Sequence, residues 1–238
     1  MAMFTPEQLA LNVYLNDEAT FENFFSPESS ANYQVLQAVK NLVLDNNERF
    51  LFLWGNEGSG ISHLMQAACH AASENNLSSQ YLPLEDLVGY APDELLDGLE
   101  QLDMVCLDGI HLVMGQPGWD EAMFHLYNRL RDKKCRMLVS ANCPPRELGS
   151  HLPDLSSRMG WGVVYRMMPL SDEEKKMALI ARARARGLEM GEEVAQYILH
   201  RAQRDMDELF LQLERLDKQS MSEQRKLTVP FVKAVLGL

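Results

Sequence analysis

Arg49 to Trp54 is an apolar run that leads directly into Gly55, Asn56, Glu57, Gly58, Ser59, Gly60, Ile61 and Ser62, and an amphipathic stretch follows to about residue 75. Few folds accept that order. A buried strand whose carboxyl end turns through glycines into a helix is the opening unit of a parallel α/β sheet. The glycines allow a tight turn whose backbone N–H groups face an anion, and Ser62 falls where such loops present a hydroxyl to Mg²⁺. The lysine that normally reaches the β and γ phosphates is replaced by Ile61. The loop is therefore built to hold a nucleotide and poorly built to hydrolyse one. Loop amides and the helix N-terminus still favour phosphate. A charged hydrogen bond is worth about 1.5 to 3 kcal/mol, so its loss weakens binding about ten- to a hundredfold, most for a triphosphate. Asn56 to Ser62 and the adjoining His63 are the nucleotide-binding candidates of this segment.

From residue 50 to about 168, short apolar runs alternate with longer amphipathic stretches, the pattern of strands joined by crossover helices. Five strands are predicted, at Arg49 to Trp54, Gln80 to Leu84, Met104 to Leu107, Met137 to Ala141 and Val163 to Met167. Helices are expected at about 31–46, 61–75, 92–101, 119–132 and 153–159. Pro169 then interrupts the pattern, and Ser171 to Glu174 forms a capping box that starts a wholly helical remainder. Gly187 can close the first of these helices, and others fit at about 191–202, 205–219 and 228–237. The expected organisation is a terminal segment 1–19, an αβα domain 20–170 with a five-stranded parallel sheet, and a helical domain 171–238.

Met104 to Leu107 ends in Asp108, the form of a strand whose acid holds Mg²⁺ directly or through water. A turn aspartate after a strand is the plainer alternative. Gly109 follows, where many ATPases carry a second acid that orients the attacking water. Asn142, just past the fourth strand, could sense a γ phosphate or simply start a turn before Pro144.

A formal charge of −12 opposes tight non-specific contact with DNA or anionic lipid, both of which need clustered Lys and Arg. No strong direct DNA binding and no membrane association are expected. The chain start lacks a basic, then apolar, leader pattern, so a cytoplasmic protein is expected. Cys69, Cys106, Cys135 and Cys143 show no metal spacing and read as buried free thiols. His63, His70 and His111 form no matched ligand set with acids.

Trp54 to Leu64, the Asp108 strand and above all Ser157, Arg158, Met159, Gly160, Trp161 and Gly162 resemble the AAA+ module of the bacterial replication initiator DnaA and its relatives. The resemblance spans Thr20 to Leu238, and a chain without the DNA-binding helical domain that the initiator carries after its lid is expected, as in the regulatory branch of that family that inactivates the initiator. Leu126 to Arg129, Pro144 to Arg146, Leu152 to Leu155 and Gln224 to Lys233 are similar to stretches of that branch.

The resemblance implies an αβα AAA+ domain with a helical lid. It implies that Arg158 is an arginine finger acting in trans on ATP held by the DnaA initiator, where such a group is worth about 10³ to 10⁵ in rate. Without it, Arg158 reads as a surface arginine at a helix end. By resemblance the bound nucleotide is ADP, although another nucleoside diphosphate fits the loop equally, with Mg²⁺ on Ser62 and Asp108 if present. Phe21 and Phe24 match a segment that flanks the nucleobase, with core packing as their alternative. At the second sensor position, usually an arginine, Asp207 stands, and Arg204 one turn away could substitute. Gln8, Leu9, Leu11 and Val13 resemble a peptide that binds the polymerase sliding clamp once it is loaded on DNA. Ile61 and Gly109 oppose efficient hydrolysis by the chain itself, and the resemblance implies an activator of a partner's ATPase instead. The competing readings are a helicase-loader-like remodelling ATPase acting on its own nucleotide and a DNA-binding adaptor. Oligomeric state stays open, a homodimer among the alternatives.

Overall fold

A computed structural model describes residues 15–45, 48–201 and 206–237, with the side chain of residue 207 excluded. Strands β1 (Phe50–Trp54), β2 (Ser79–Pro83), β3 (Met104–Asp108), β4 (Arg136–Ala141) and β5 (Val163–Arg166) form one sheet in the order β2-β3-β4-β1-β5. Every pairing is parallel. Parallel neighbours require crossovers, and helices supply them. These are α1 (Ala31–Leu44), α2 (Ile61–Glu74), α3 (Leu84–Leu87), α4 (Pro92–Leu95), α5 (Trp119–Asp132) and α6 (Pro153–Met159).

The central strands β1, β3 and β4 are buried at successive positions because both faces of the sheet are covered. Phe50, Phe52, Val105, Leu107, Met137 and Val139 point into one core with α5 and α6. Leu51, Leu53, Met104, Cys106 and Leu138 point into the other, with α1 and α2. The result is three layers, with the sheet in the middle.

The expected strands agree with those observed to within one residue at each end. The helix expected over 92–101 breaks up. Only α4 and a single 3-10 turn, Leu99–Gln101, form there, because Gly98 adopts a φ of 76° that stops helix propagation. Leu84 leaves the second strand and begins α3 instead.

The remainder is helical: α7 (Asp172–Ala185), α8 (Glu192–Arg201), α9 (Met206–Glu223) and α10 (Val229–Leu236). Ser171 accepts from the Glu174 N–H while the Glu174 carboxylate accepts from the Ser171 N–H at 2.8 Å, so the capping box is formed. Gly187, at a φ of 76°, closes α7, with the Leu188 N–H donating back to Ala183. These helices enclose their own core around Leu179, Ile198, Leu213 and Phe231.

An irregular segment, residues 15–25, runs along α2 and ties this helical unit to the sheet. The His70 ring meets the Asn16 carbonyl and the Asn16 N–H donates to Gln66. The Glu18 carboxylate pairs with Arg182 at 2.9 Å and with Arg186, both on the far side in the helical unit. Among the described residues, no helix is long and apolar enough to cross a membrane.

Candidate functional site

Ligands of open parallel sheets sit outside the carboxyl ends of the strands. A cavity of about 680 Å³ opens there, lined by residues 55–63 and by the ends of β2, β3 and β4. Gly58 and Gly60 adopt φ values of 70° and 86°, which bend the chain so that α2 begins at the cavity wall. No side chain caps α2, so its first N–H groups, which helix geometry leaves without internal acceptors, remain available to an anion.

Ile61 is nearly buried and belongs to the core on the α2 side of the sheet. Among the described residues no Lys or Arg lines this cavity, whereas the carboxylates of Glu57, Glu85 and Asp108 do. The phosphate end of such a site thus meets backbone dipoles and negative side chains.

Asp108 ends β3 and is held from both neighbouring strands. Its Oδ2 accepts from the Tyr81 hydroxyl of β2 at 2.6 Å, and its Oδ1 accepts from the Ser140 hydroxyl of β4. Ser140 Oγ in turn accepts the Gly109 N–H at 2.8 Å. Burial, followed by the negative Asp108 beside it, drives the Tyr81 phenol far above its ordinary pKa, so it stays protonated and donates. Ser62 lines the same cavity as this phenol.

Asn142 lies on the rim of the cavity, its N–H donating to His111 Nδ1 at 3.3 Å. His111 is therefore protonated on Nε2, and burial lowers its pKa. His63 bonds the Thr20 carbonyl at 3.0 Å, and burial lowers its pKa too.

Next to the loop lies a small apolar recess between the sheet domain and the helical unit, lined by Phe24, Phe25, His63, Leu170, Met206 and Phe210 among others. Phe24 packs against Gly60, where an added Cβ would come within 3.0 Å of its ring, and tilts against the His63 ring at 5.5 Å. The two expected base-flanking rings part company here. Phe24 lines the recess, whereas Phe21 is buried in the core with Lys40 over its ring. Core packing is therefore what the structure gives Phe21.

Arg158 lines neither cavity. Near the end of α6, its guanidinium stacks 4.3 Å from the Phe124 ring centroid, within 6 Å of the Tyr127 and Trp161 rings, and donates to Asn128 Oδ1. Trp161 is 61% exposed, so this aromatic platform opens to the surroundings. Gln8, Leu9, Leu11, Val13 and Arg204, like the side chain of Asp207, lie outside what is described.

Tyr81, Ser140, Glu85 and the Glu18 clasp escaped the reading of the sequence. A serine at the carboxyl end of a predicted central strand was the one available signal, since strand ends face this crevice.

Residues 15–166 match the model of the bacterial DnaA ATPase domain, and residues 172–236 match that of the Hda lid domain. The chain belongs to the Hda family of DnaA-related AAA+ proteins. Solved structures agree on the fold of this Hda-family chain. Domain III of the Thermotoga maritima replication initiation protein DnaA superposes with a TM-score of 0.78 at 22% identity, covering 94% of this chain and 98% of that one. AMPPCP-bound DnaA from Aquifex aeolicus gives a TM-score of 0.73 at 23% identity over 89% of this chain and 68% of its own. A replication initiator DnaA bound to AMPPCP and single-stranded DNA gives 0.71 at 21% identity over 90% and 70%. An Hda-family chain is a DnaA-related AAA+ replication regulator.

Proposed function

We propose that this Hda-family chain holds a nucleoside diphosphate in its own site and lends Arg158 to hydrolysis of ATP bound to the DnaA initiator, so preventing re-initiation. The observation that carries this reading is the separation of parts. The cavity has loop amides and no Lys or Arg among the described residues, while a guanidinium is held outside it on Phe124 and Asn128. A guanidinium brought in by a partner stabilises charge that develops on the transferred phosphoryl group.

In the chain's own site, amides of Gly58 to Ser62 would hold the phosphates, and Phe24 and the recess beside it would take the base. ADP is the diphosphate of choice by family. Mg²⁺ does not fit the donor set as it stands. Asp108, which would hold the ion together with Ser62, already accepts from the Tyr81 phenol and from the Ser140 hydroxyl. Residues Gln8, Leu9, Leu11 and Val13 would tether the chain to the DNA-loaded sliding clamp, bringing Arg158 to initiator molecules near the replication fork.

The test is a reconstituted assay of initiator-bound ATP with clamp loaded on DNA. Wild type should accelerate hydrolysis, and Arg158→Ala should lose at least about 10³ of that acceleration. Full stimulation by Arg158→Ala would refute the assignment. Replacing Gln8 and Leu11 together by Ala should abolish stimulation only when clamp is required. The rival reading, a remodelling ATPase acting on its own nucleotide, needs turnover by the isolated chain, which Ile61 and Gly109 oppose.

A further inference from the structure

We infer that the Tyr81 phenol stands in for the divalent cation of this site, so that a nucleoside diphosphate binds without metal. This rests on the nucleotide reading above and goes beyond it. In a P-loop site that uses metal, the ion lies between the loop hydroxyl and the strand acid, bound directly or through water. Here the Tyr81 phenol lines the same cavity as Ser62 and takes up the strand acid. It donates to Asp108 at 2.6 Å, a length typical of a hydrogen bond to an ionised acceptor.

The other carboxylate oxygen is not free either. Ser140 donates to it, and Ser140 is itself fixed by the Gly109 N–H. Each oxygen of Asp108 is thus supplied with a hydroxyl proton from an adjacent strand, which satisfies the anion that a metal would otherwise neutralise.

Admitting Mg²⁺ would mean displacing that phenol, and two features resist it. Tyr81 is 7% exposed and sits in the core on the α2 side of the sheet, so swinging the ring out would leave a void under α2. Its strand is also locked in register with β3, Tyr81 opposite Cys106 and Pro83 opposite Asp108. Mg²⁺ demands near-octahedral oxygen ligands at about 2.0 to 2.1 Å and gives up water reluctantly. A diphosphate needs the ion less than a triphosphate does, because it lacks the γ phosphate that metal and lysine jointly hold.

The experiment compares the affinity of the intact chain for a fluorescent ADP analogue in excess EDTA and in millimolar Mg²⁺. Mn²⁺ electron paramagnetic resonance counts ions on the ADP complex in parallel. Wild type should bind equally in the two buffers, within about twofold, and carry no protein-bound Mn²⁺ beyond that on free ADP. Tyr81→Phe, which frees Asp108 Oδ2, should bind at least about tenfold more tightly in Mg²⁺ than in EDTA, the equivalent of one charge-assisted bond. Wild-type binding that requires Mg²⁺ would overturn this inference alone. No binding in either buffer would overturn the nucleotide reading and this inference with it. The wild-type comparison decides the matter even if the variant does not fold.

Discussion

Replacing Ile61 by Lys restores the residue that phosphate loops normally carry and isolates what its loss did. Ile61 is 8% exposed and packs in the core beside Leu64 and Met65. Full burial of such a side chain is worth about 1.5 to 3 kcal/mol, and a lysine stem that snorkels toward the cavity keeps roughly half of that. The variant should lose about 0.75 to 1.5 kcal/mol of stability, seen as about 2 to 4 °C in Tm for each kcal/mol. In exchange an ammonium reaches a cavity whose charged walls are Glu57, Glu85 and Asp108. A charged bond to phosphate returns about 1.5 to 3 kcal/mol, so ATP should bind about ten- to a hundredfold more tightly, with a smaller gain for ADP. The assay is displacement of a fluorescent diphosphate by ATP and by ADP, with thermal melts alongside. Ile61→Gln serves as the control, since it disturbs the core similarly and adds no charge. Turnover should rise no more than slightly over wild type, because Gly109 still supplies no acid to orient water. A folded Ile61→Lys chain with an unchanged ATP to ADP ratio would refute the account of the missing lysine, and brisk hydrolysis would refute the account of Gly109.

Glu18→Gln removes the acid shared by Arg182 and Arg186, whose side chains are 8% and 16% exposed. Because Glu18 itself is partly exposed, the cost should be about 1 to 3 kcal/mol, read by chemical denaturation. Gly60→Ala forces a left-handed backbone and presses on Phe24, so it should lower stability by about 1 to 2 kcal/mol and weaken nucleotide binding, measured by melts and titration. His63 and His111 both have pKa values below the ordinary 6.5, chiefly through burial. The unfolded chain then binds more protons below that pH. Stability should be complete above about pH 6.5 and fall as pH drops beneath it, and His63→Gln should flatten that slope in denaturation curves taken from pH 7.5 to 5.

The sheet was legible because its central strands β1, β3 and β4 are buried on both faces, and a run such as Phe50 to Trp54 belongs in the middle of an α/β sandwich. The glycine loop was legible because its spacing is local, eight residues whose turn needs no distant partner. Tyr81 and Ser140 were not, since they reach Asp108 only once β3 lies between β2 and β4, and strand order is a property of the whole chain. In the sequence Tyr81 is one more aromatic in a strand. The broken helix at 92–101 shows the reverse, a helical period that the glycine at 98 interrupts with its left-handed backbone.

On the proposed reading, two arginines divide structural work from chemistry done on another molecule. Arg182 lies over the Phe210 ring at 5.1 Å and Arg158 over the Phe124 ring at 4.3 Å, so both are held by aromatic faces. They differ in the acid beside them. Arg182 is neutralised by Glu18, whereas among the described residues Arg158 has no salt bridge and donates only to the neutral amide of Asn128. An aromatic face orients a guanidinium without cancelling its charge, and an amide fixes it without competing as an anion. A charge meant for another molecule's phosphate has to be kept in that state, because a carboxylate at home would have to be displaced before it could act. Asn128→Asp places such a carboxylate on Arg158 with almost no change of shape. If the platform works as argued, this variant should fold as stably as wild type and yet stimulate initiator-bound ATP hydrolysis at least about tenfold less, as expected when an uncompensated charge becomes a paired one. Undiminished stimulation would mean that the neutrality of Asn128 is irrelevant to what Arg158 does.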